Sequence, residues 1–200
     1  MKLLLTAFEP FGGETLNPGL EAMAVIPDKI GNTEIVKAVI PTVFEKSIAT
    51  AIAHIEKEKP DVILSIGQAG GRQEITVERV AINVNDARIP DNEGQQPVDA
   101  AIAEHGPAAY FSNLPIKAMV QAIRDAQVPA SVSNTAGTFV CNHLMYGVLH
   151  YLSEKDLEAR GGFIHVPLIP KQVVNRASTA PSMSLDDIVK GIIAAISVIE

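Results

Sequence analysis

The chain of 200 residues holds one cysteine and no tryptophan, and aromatic residues make up only 4% of it. A single thiol excludes an internal disulfide framework and a multi-cysteine zinc site. Positive charge is also scarce. Lys and Arg number 16 against 23 Asp and Glu, for a formal net charge of −7, and the basic residues do not cluster. Such a chain lacks the basic patch that nucleic acid or an anionic membrane surface requires. No run approaches the ~18 apolar residues of a membrane span. The opening Met1-Lys2-Leu3-Leu4-Leu5 reaches Glu9 and Pro10 too soon for a secretory leader, which needs about 7–15 apolar residues. It reads instead as a first strand, and the expected location is cytoplasmic.

What is present is apolar content, 47%, with 20% charged residues, which is not the composition of a disordered chain. At roughly 150 residues per domain, residues 1–200 are expected to form one domain with a sizeable core. Short apolar runs at Leu3–Phe8, Glu34–Ile40 and Val62–Ile66 read as buried strands. Phe44, Ile48, Ala51, Ile52 and Ile55 keep helical spacing, and Pro60 closes that segment. Ile116, Met119, Val120 and Ile123 mark a second helix with Pro115 in its first turn. Ser184-Leu185-Asp186-Asp187 opens a last one like a capping box, and its apolar face runs from Leu185 to Ile199. Strands alternating with helices imply a three-layer α/β/α sandwich around a mostly parallel, twisted sheet.

Glycine-rich loops follow two of these strands, at Phe8-Glu9-Pro10-Phe11-Gly12-Gly13 and Gly67-Gln68-Ala69-Gly70-Gly71-Arg72. Ligands of open α/β sheets bind at the carboxyl ends of strands. Neither loop is a dinucleotide fingerprint or a phosphate-binding P-loop.

Cys141 lies after Gly137 and Thr138, where Thr138 is a reasonable N-cap for a helix carrying Val140, Leu144, Met145, Val148, Leu149 and Leu152. In a first turn, unpaired N–H groups and the helix dipole lower a thiol pKa and can stabilise an oxyanion. A small buried hydrophobe is the other reading. A thiol nucleophile needs an imidazole. His143 is two residues away, and residues i and i+2 do not face each other on a helix. His54, His105 and His150 read as surface or loop residues. His165 ends the apolar run Phe163-Ile164-His165-Val166-Pro167, as either a core histidine or a catalytic base. An orienting third group is also needed. Between Ile75 and Val84 the apolar phase slips at Glu78-Arg79, where a bulge or bend would re-aim a side chain. Glu78 is thus a candidate partner, with a solvated glutamate as the alternative. Arg88, in a loop, offers a charged donor or an ordinary surface cation.

The segments FEPFGG, GQAGGR, ERVAIN, DARIPDN, GTFVCNH and GFIHVPLIP occur in this order. Together they resemble the pyroglutamyl-peptidase I family of cysteine peptidases, from about Leu3 to Pro170. The resemblance implies an α/β/α fold related to nucleoside phosphorylases and hydrolysis after an N-terminal pyroglutamyl residue of peptides. It implies no cofactor and no metal, a cytoplasmic location, and a homotetramer or homodimer. By position, Cys141 corresponds to the nucleophile, His165 to the general base and acid, Glu78 to the residue orienting it, and Arg88 to the oxyanion-side arginine. Phe8, Phe11, Asn17 and Gln68 correspond to residues that line or support the pyroglutamyl pocket. A pyroglutamyl ring needs an apolar slot with a few placed polar groups, and such a site should reject proline, which lacks the lactam carbonyl. Two other classes are open from sequence: a phosphate-dependent nucleoside site on GQAGGR, and a thiol sensor built on Cys141.

Overall fold

The computed structural model describes residues 1–176 and 180–199. In chain order the elements are β1 (Lys2–Phe8), α1 (Pro18–Val25), β2 (Lys29–Ile30), β3 (Thr33–Ile40), α2 (Lys46–Glu58), β4 (Val62–Gln68), β5 (Ile75–Glu78) and β6 (Val80–Ile82). There follow β7 (Ala109–Phe111), α3 (Ile116–Asp125), β8 (Ala130–Ser133), α4 (Val140–Glu154), β9 (Arg160–Val166), α5 (Pro170–Val173) and α6 (Leu185–Ile196). Seven strands form one sheet in the order β2-β3-β1-β4-β9-β5-β8. Neighbours pair in parallel except β2 with β3 and β5 with β9, so the sheet is mixed and mostly parallel, as expected.

β1 shows why the centre of this sheet is so apolar. It runs between β3 and β4, and both of its faces are covered. Leu3, Leu5 and Ala7 enter a core shared with α1, α3 and α6, whereas Leu4 and Phe8 enter a second core shared with α2 and α4. A strand buried on both sides reads as a continuous hydrophobic run for this reason. Its one internal polar side chain, Thr6, donates to Ser65 Oγ of β4 at 2.8 Å, so neither hydroxyl enters the core unpaired.

Helix ends follow local chemistry. α2 stops at Glu58 because Lys59 takes a left-handed φ of 48° and Pro60 follows. Ser184 caps α6 by accepting from the Asp187 N–H at 3.1 Å. That helix ends at Ile196, and Ile199 packs on the core from beyond it.

The phase slip at Glu78-Arg79 is a change of sheet, and no bulge is needed. β5 ends at Glu78, Arg79 N–H donates to Ser133 O at 2.8 Å, and β6 pairs antiparallel with β7 in a separate two-stranded sheet. Each sheet has its own covered face, so the alternation restarts where the chain crosses. Glu78 keeps the phase of Thr76 within β5, opposite to Ile75 and Val77, and points to the α4 side. The carboxyl ends of β1, β4 and β9 lie together at one edge of this arrangement.

Candidate active site

Gly67 and His165 are cross-strand partners at the ends of β4 and β9. A Cβ at position 67 would lie 2.8 Å from the Phe163 ring and 3.0 Å from Cys141 Sγ. Only glycine leaves room there, so the missing side chain lets α4 set its thiol against the strand end beside His165. The approach to α4 turns at Gly137, with a φ of 80° that a residue bearing a Cβ rarely adopts.

Thr138 is not the N-cap of α4. Phe139 holds that position, with no side-chain cap. The Thr138 hydroxyl instead donates to Asp86 O at 2.8 Å, and Asp86 N–H donates to Thr138 O at 3.0 Å. These two bonds tie the loop carrying Arg88 to the turn before the helix. With Phe139 at the N-cap, no capping side chain among the described residues takes up the first-turn N–H groups of α4, that of Cys141 included.

β5 runs antiparallel to β9 with Thr76 opposite His165, so Glu78, two residues on, is a diagonal neighbour on the same face. Its Oε1 lies 2.7 Å from His165 Nδ1. A carboxylate oxygen accepts, so the neutral ring carries its proton on Nδ1 and keeps a lone pair on Nε2. Arg72 Nη1 donates to that same oxygen at 2.6 Å and also to the Thr76 hydroxyl, while Nη2 donates to Thr135 O at 3.1 Å. Arg72 was legible only as the end of a glycine-rich loop. Its charge partner is six residues away on the next strand, a spacing with no periodic signature.

Electrostatics follow from this geometry. Burial pushes the Glu78 carboxyl up, but the hydrogen bond and charge of His165, with the hydrogen bond from Arg72, outweigh it and hold the group below its ordinary value. Burial lowers the His165 pKa against the opposing pull of Glu78, and Arg72 lowers it further. The Cys141 thiol is pushed up to about 12, chiefly by burial and then by Glu78, with Arg72 acting in the opposite sense. The lowering expected from the helix start is therefore overturned. Desolvation of a sulfur packed against β4 and β9 raises the pKa, and the thiol at rest is neutral.

Cys141 and His165 border one cavity of about 640 Å³, which also meets Phe11, Gln68, Arg72 and Arg88. Arg88 is exposed on its loop. Phe8 and Asn17 are not among the residues that line it. Phe8 is buried against Phe163, with ring centroids 6.3 Å apart. Asn17 caps α1 by accepting from Gly19 N–H at 2.9 Å. The aromatic wall beside Phe11 comes from Phe139, 5.8 Å away, whose place in the N-cap of α4 hid it from sequence reasoning. His143 is fully buried and turned away, with Nε2 accepting from Glu45 N–H at 3.0 Å and Nδ1 3.0 Å from Asn85 Oδ1. Among the described residues no three His, Cys, Asp or Glu side chains gather as a metal site, and no helix is long and apolar enough to cross a membrane.

A buried nucleophile, an imidazole with one free nitrogen and a carboxylate fixing the other can support acyl transfer through a covalent intermediate. The sequence model described as pyroglutamyl peptidase matches residues 1–200. A pyrrolidone-carboxylate peptidase of Clostridium perfringens is 59% identical over 199 residues, covering 100% of this chain and 93% of the relative. One from Thermosipho africanus is 57% identical, covering 100% of this chain and 97% of the relative. The crystal structure of pyroglutamyl peptidase I from Bacillus amyloliquefaciens superposes with a TM-score of 0.93 at 52% identity, covering 98% of this chain and 95% of that one.

Proposed function

This chain belongs to the pyroglutamyl peptidase family, and we propose that it hydrolyses the amide bond after an N-terminal pyroglutamyl residue with Cys141, His165 and Glu78 as its catalytic group. The observation that carries the assignment of roles is the Nδ1–Glu78 hydrogen bond of 2.7 Å on a histidine that shares a cavity with the one thiol.

Because the thiol is neutral at rest, its proton passes to His165 Nε2 as Sγ attacks the scissile carbonyl. Glu78 stabilises the imidazolium that forms and keeps it oriented. Arg72 holds Glu78 in place and ionised. The uncapped N–H groups at the start of α4 and the Arg88 guanidinium face the developing oxyanion. His165 then gives its proton to the departing amine, leaving a pyroglutamyl thioester. Water, deprotonated by His165, attacks the thioester and releases pyroglutamate, and the thiol recovers its proton.

Phe11 and Phe139 supply the apolar slot for the ring, and Gln68 supplies a polar contact to it. Phe8, packed on Phe163, and Asn17, capping α1, contribute only at one remove. The family resemblance supports a homotetramer or homodimer and a cytoplasmic location. The family supports peptides as partners, and a net charge of −7 argues against nucleic acid or an anionic membrane. Light scattering of the purified chain tests the assembly.

The test is release of a fluorogenic amine from its pyroglutamyl amide. The wild-type chain is expected to turn this substrate over, and Cys141→Ser, with an unchanged circular dichroism spectrum, is expected to lose activity. Turnover by that variant at the wild-type rate overturns the roles assigned above.

A further inference from the structure

The orientation of the Gln68 amide is set by Gln172, which does not line the cavity, together with Glu14 and Arg176, which do. Gln172, on the short helix α5, accepts from the Ile169 N–H through Oε1 at 3.1 Å. A backbone N–H can only donate, so the atom facing it must be oxygen, and the amide nitrogen of Gln172 must face the other way. There Nε2 finds two acceptors for its two hydrogens, Glu14 Oε2 at 3.2 Å and Gln68 Oε1 at 2.9 Å. The other oxygen of Glu14 is paired with Arg176. Every member of this chain of contacts thus has its direction fixed by a group that cannot exchange donor for acceptor. Gln68 has its oxygen committed to Gln172, which leaves its own Nε2 hydrogens as the polar group it can offer the cavity. Turning Gln68 over would set two amide NH2 groups against each other and lose a hydrogen bond in a half-buried site.

We propose that Gln172 is a positioning residue for substrate specificity, holding Gln68 so that the cavity presents a hydrogen-bond donor to the ring carbonyl of the substrate. This rests on the pyroglutamyl reading above. A pyroglutamyl ring carries a carbonyl acceptor that such a donor satisfies. A prolyl ring has no carbonyl and carries only N–H donors, so it leaves the Gln68 donor unpaired. Selection between the two rings is then a matter of which way one amide points.

Two variants test this. Gln172→Glu can accept from Ile169 but has no hydrogen to give Gln68, and it repels Glu14. Gln172→Met keeps the volume and removes all the hydrogen bonds. In both, Gln68 is free to turn its oxygen into the cavity. The KM for a pyroglutamyl amide should rise about 10- to 100-fold with kcat changed far less, and preference over the matching prolyl amide should fall. The rate at which iodoacetamide alkylates Cys141 should stay within about twofold of wild type, since alkylation does not use the ring site. In addition, 2-pyrrolidone should protect Cys141 from alkylation in the wild-type chain and do so at least about tenfold more weakly in both variants. An unchanged KM and an unchanged preference overturn the proposal. So does a fall in kcat matched by slower alkylation, which would mean that Gln172 supports the catalytic centre as a whole. The protection arm separates the two layers. If the wild-type chain hydrolyses no pyroglutamyl amide, the functional reading fails, and equal protection of wild type and variants still overturns the role of Gln172.

Discussion

Two buried histidines follow Cys141 in the sequence, His143 on its own helix and His165 on β9, and their surroundings differ in one respect. At His143 both ring nitrogens are taken by fixed protein groups, Glu45 N–H on Nε2 and Asn85 Oδ1 on Nδ1, with the Phe44 ring edge-on at 5.2 Å. At His165 Glu78 takes Nδ1, no group among the described residues takes Nε2, and the ring borders the cavity. Both rings are desolvated, and burial lowers both pKa values. What separates a structural imidazole from a working one is thus the nitrogen that the fold leaves unspent. His143 links the entry of α2 to the loop after β6 through its two bonds. His165 can exchange a proton with whatever enters the cavity.

Exchanging each histidine for a residue that cannot titrate tests this contrast most severely. His165→Asn is expected to lower kcat/KM for a pyroglutamyl amide by about a thousandfold or more, with the fold retained by circular dichroism. His143→Gln is expected to keep activity within about tenfold while unfolding at lower denaturant concentration. A loss below tenfold at His165, about 1.4 kcal/mol of barrier, would reduce that residue to a bystander.

The next effect in size belongs to the carboxylate. Glu78→Gln should cost about a hundredfold or more in kcat, because the stabilising charge on the imidazolium is gone.

Arg72→Gln should cost less, about tenfold, and should carry a pH signature. Arg72 opposes protonation of His165, so its removal raises the pKa of the base. The acid limb of the kcat/KM profile then moves to higher pH, and Arg72→Lys moves it back. An unshifted limb would confine Arg72 to a structural role.

His143 yields the smallest and most local prediction, one of stability. Burial depresses its pKa to about 4 from an ordinary 6.5. Between these values the unfolded chain binds a proton that the folded chain does not, so stability falls as pH drops through this window. Among the described residues the charged group that faces the ring is Glu45, whose carboxylate oxygen is 3.9 Å from Nε2. Over the full window the loss from this residue amounts to about 3 kcal/mol. Denaturant midpoints measured from pH 7 to pH 4 should show this slope in the wild-type chain and a shallower one in His143→Gln.

The contrast between the histidines also marks how far sequence reasoning reached. The central strands, the helices and the first-turn position of Cys141 were legible because each is a local pattern, an apolar run or a 3.6-residue period. His165 and Glu78 were legible as candidates on their own strands. That they meet depends on the antiparallel pairing of β5 with β9, a long-range choice that no local period records. Arg72 and Gln172 act through partners on other elements and were invisible for the same reason. The raised thiol pKa was misjudged because the helix end is local, whereas the burial that outweighs it comes from β4, β9 and the close fit at Gly67.

The single thiol makes the central claim directly measurable. Pyroglutamyl-amide hydrolysis followed during titration with iodoacetamide should fall in proportion to label and reach zero at one label per chain, with no need to map the modified residue. Activity that persists in the fully labelled protein would contradict a mechanism in which Cys141 is the nucleophile.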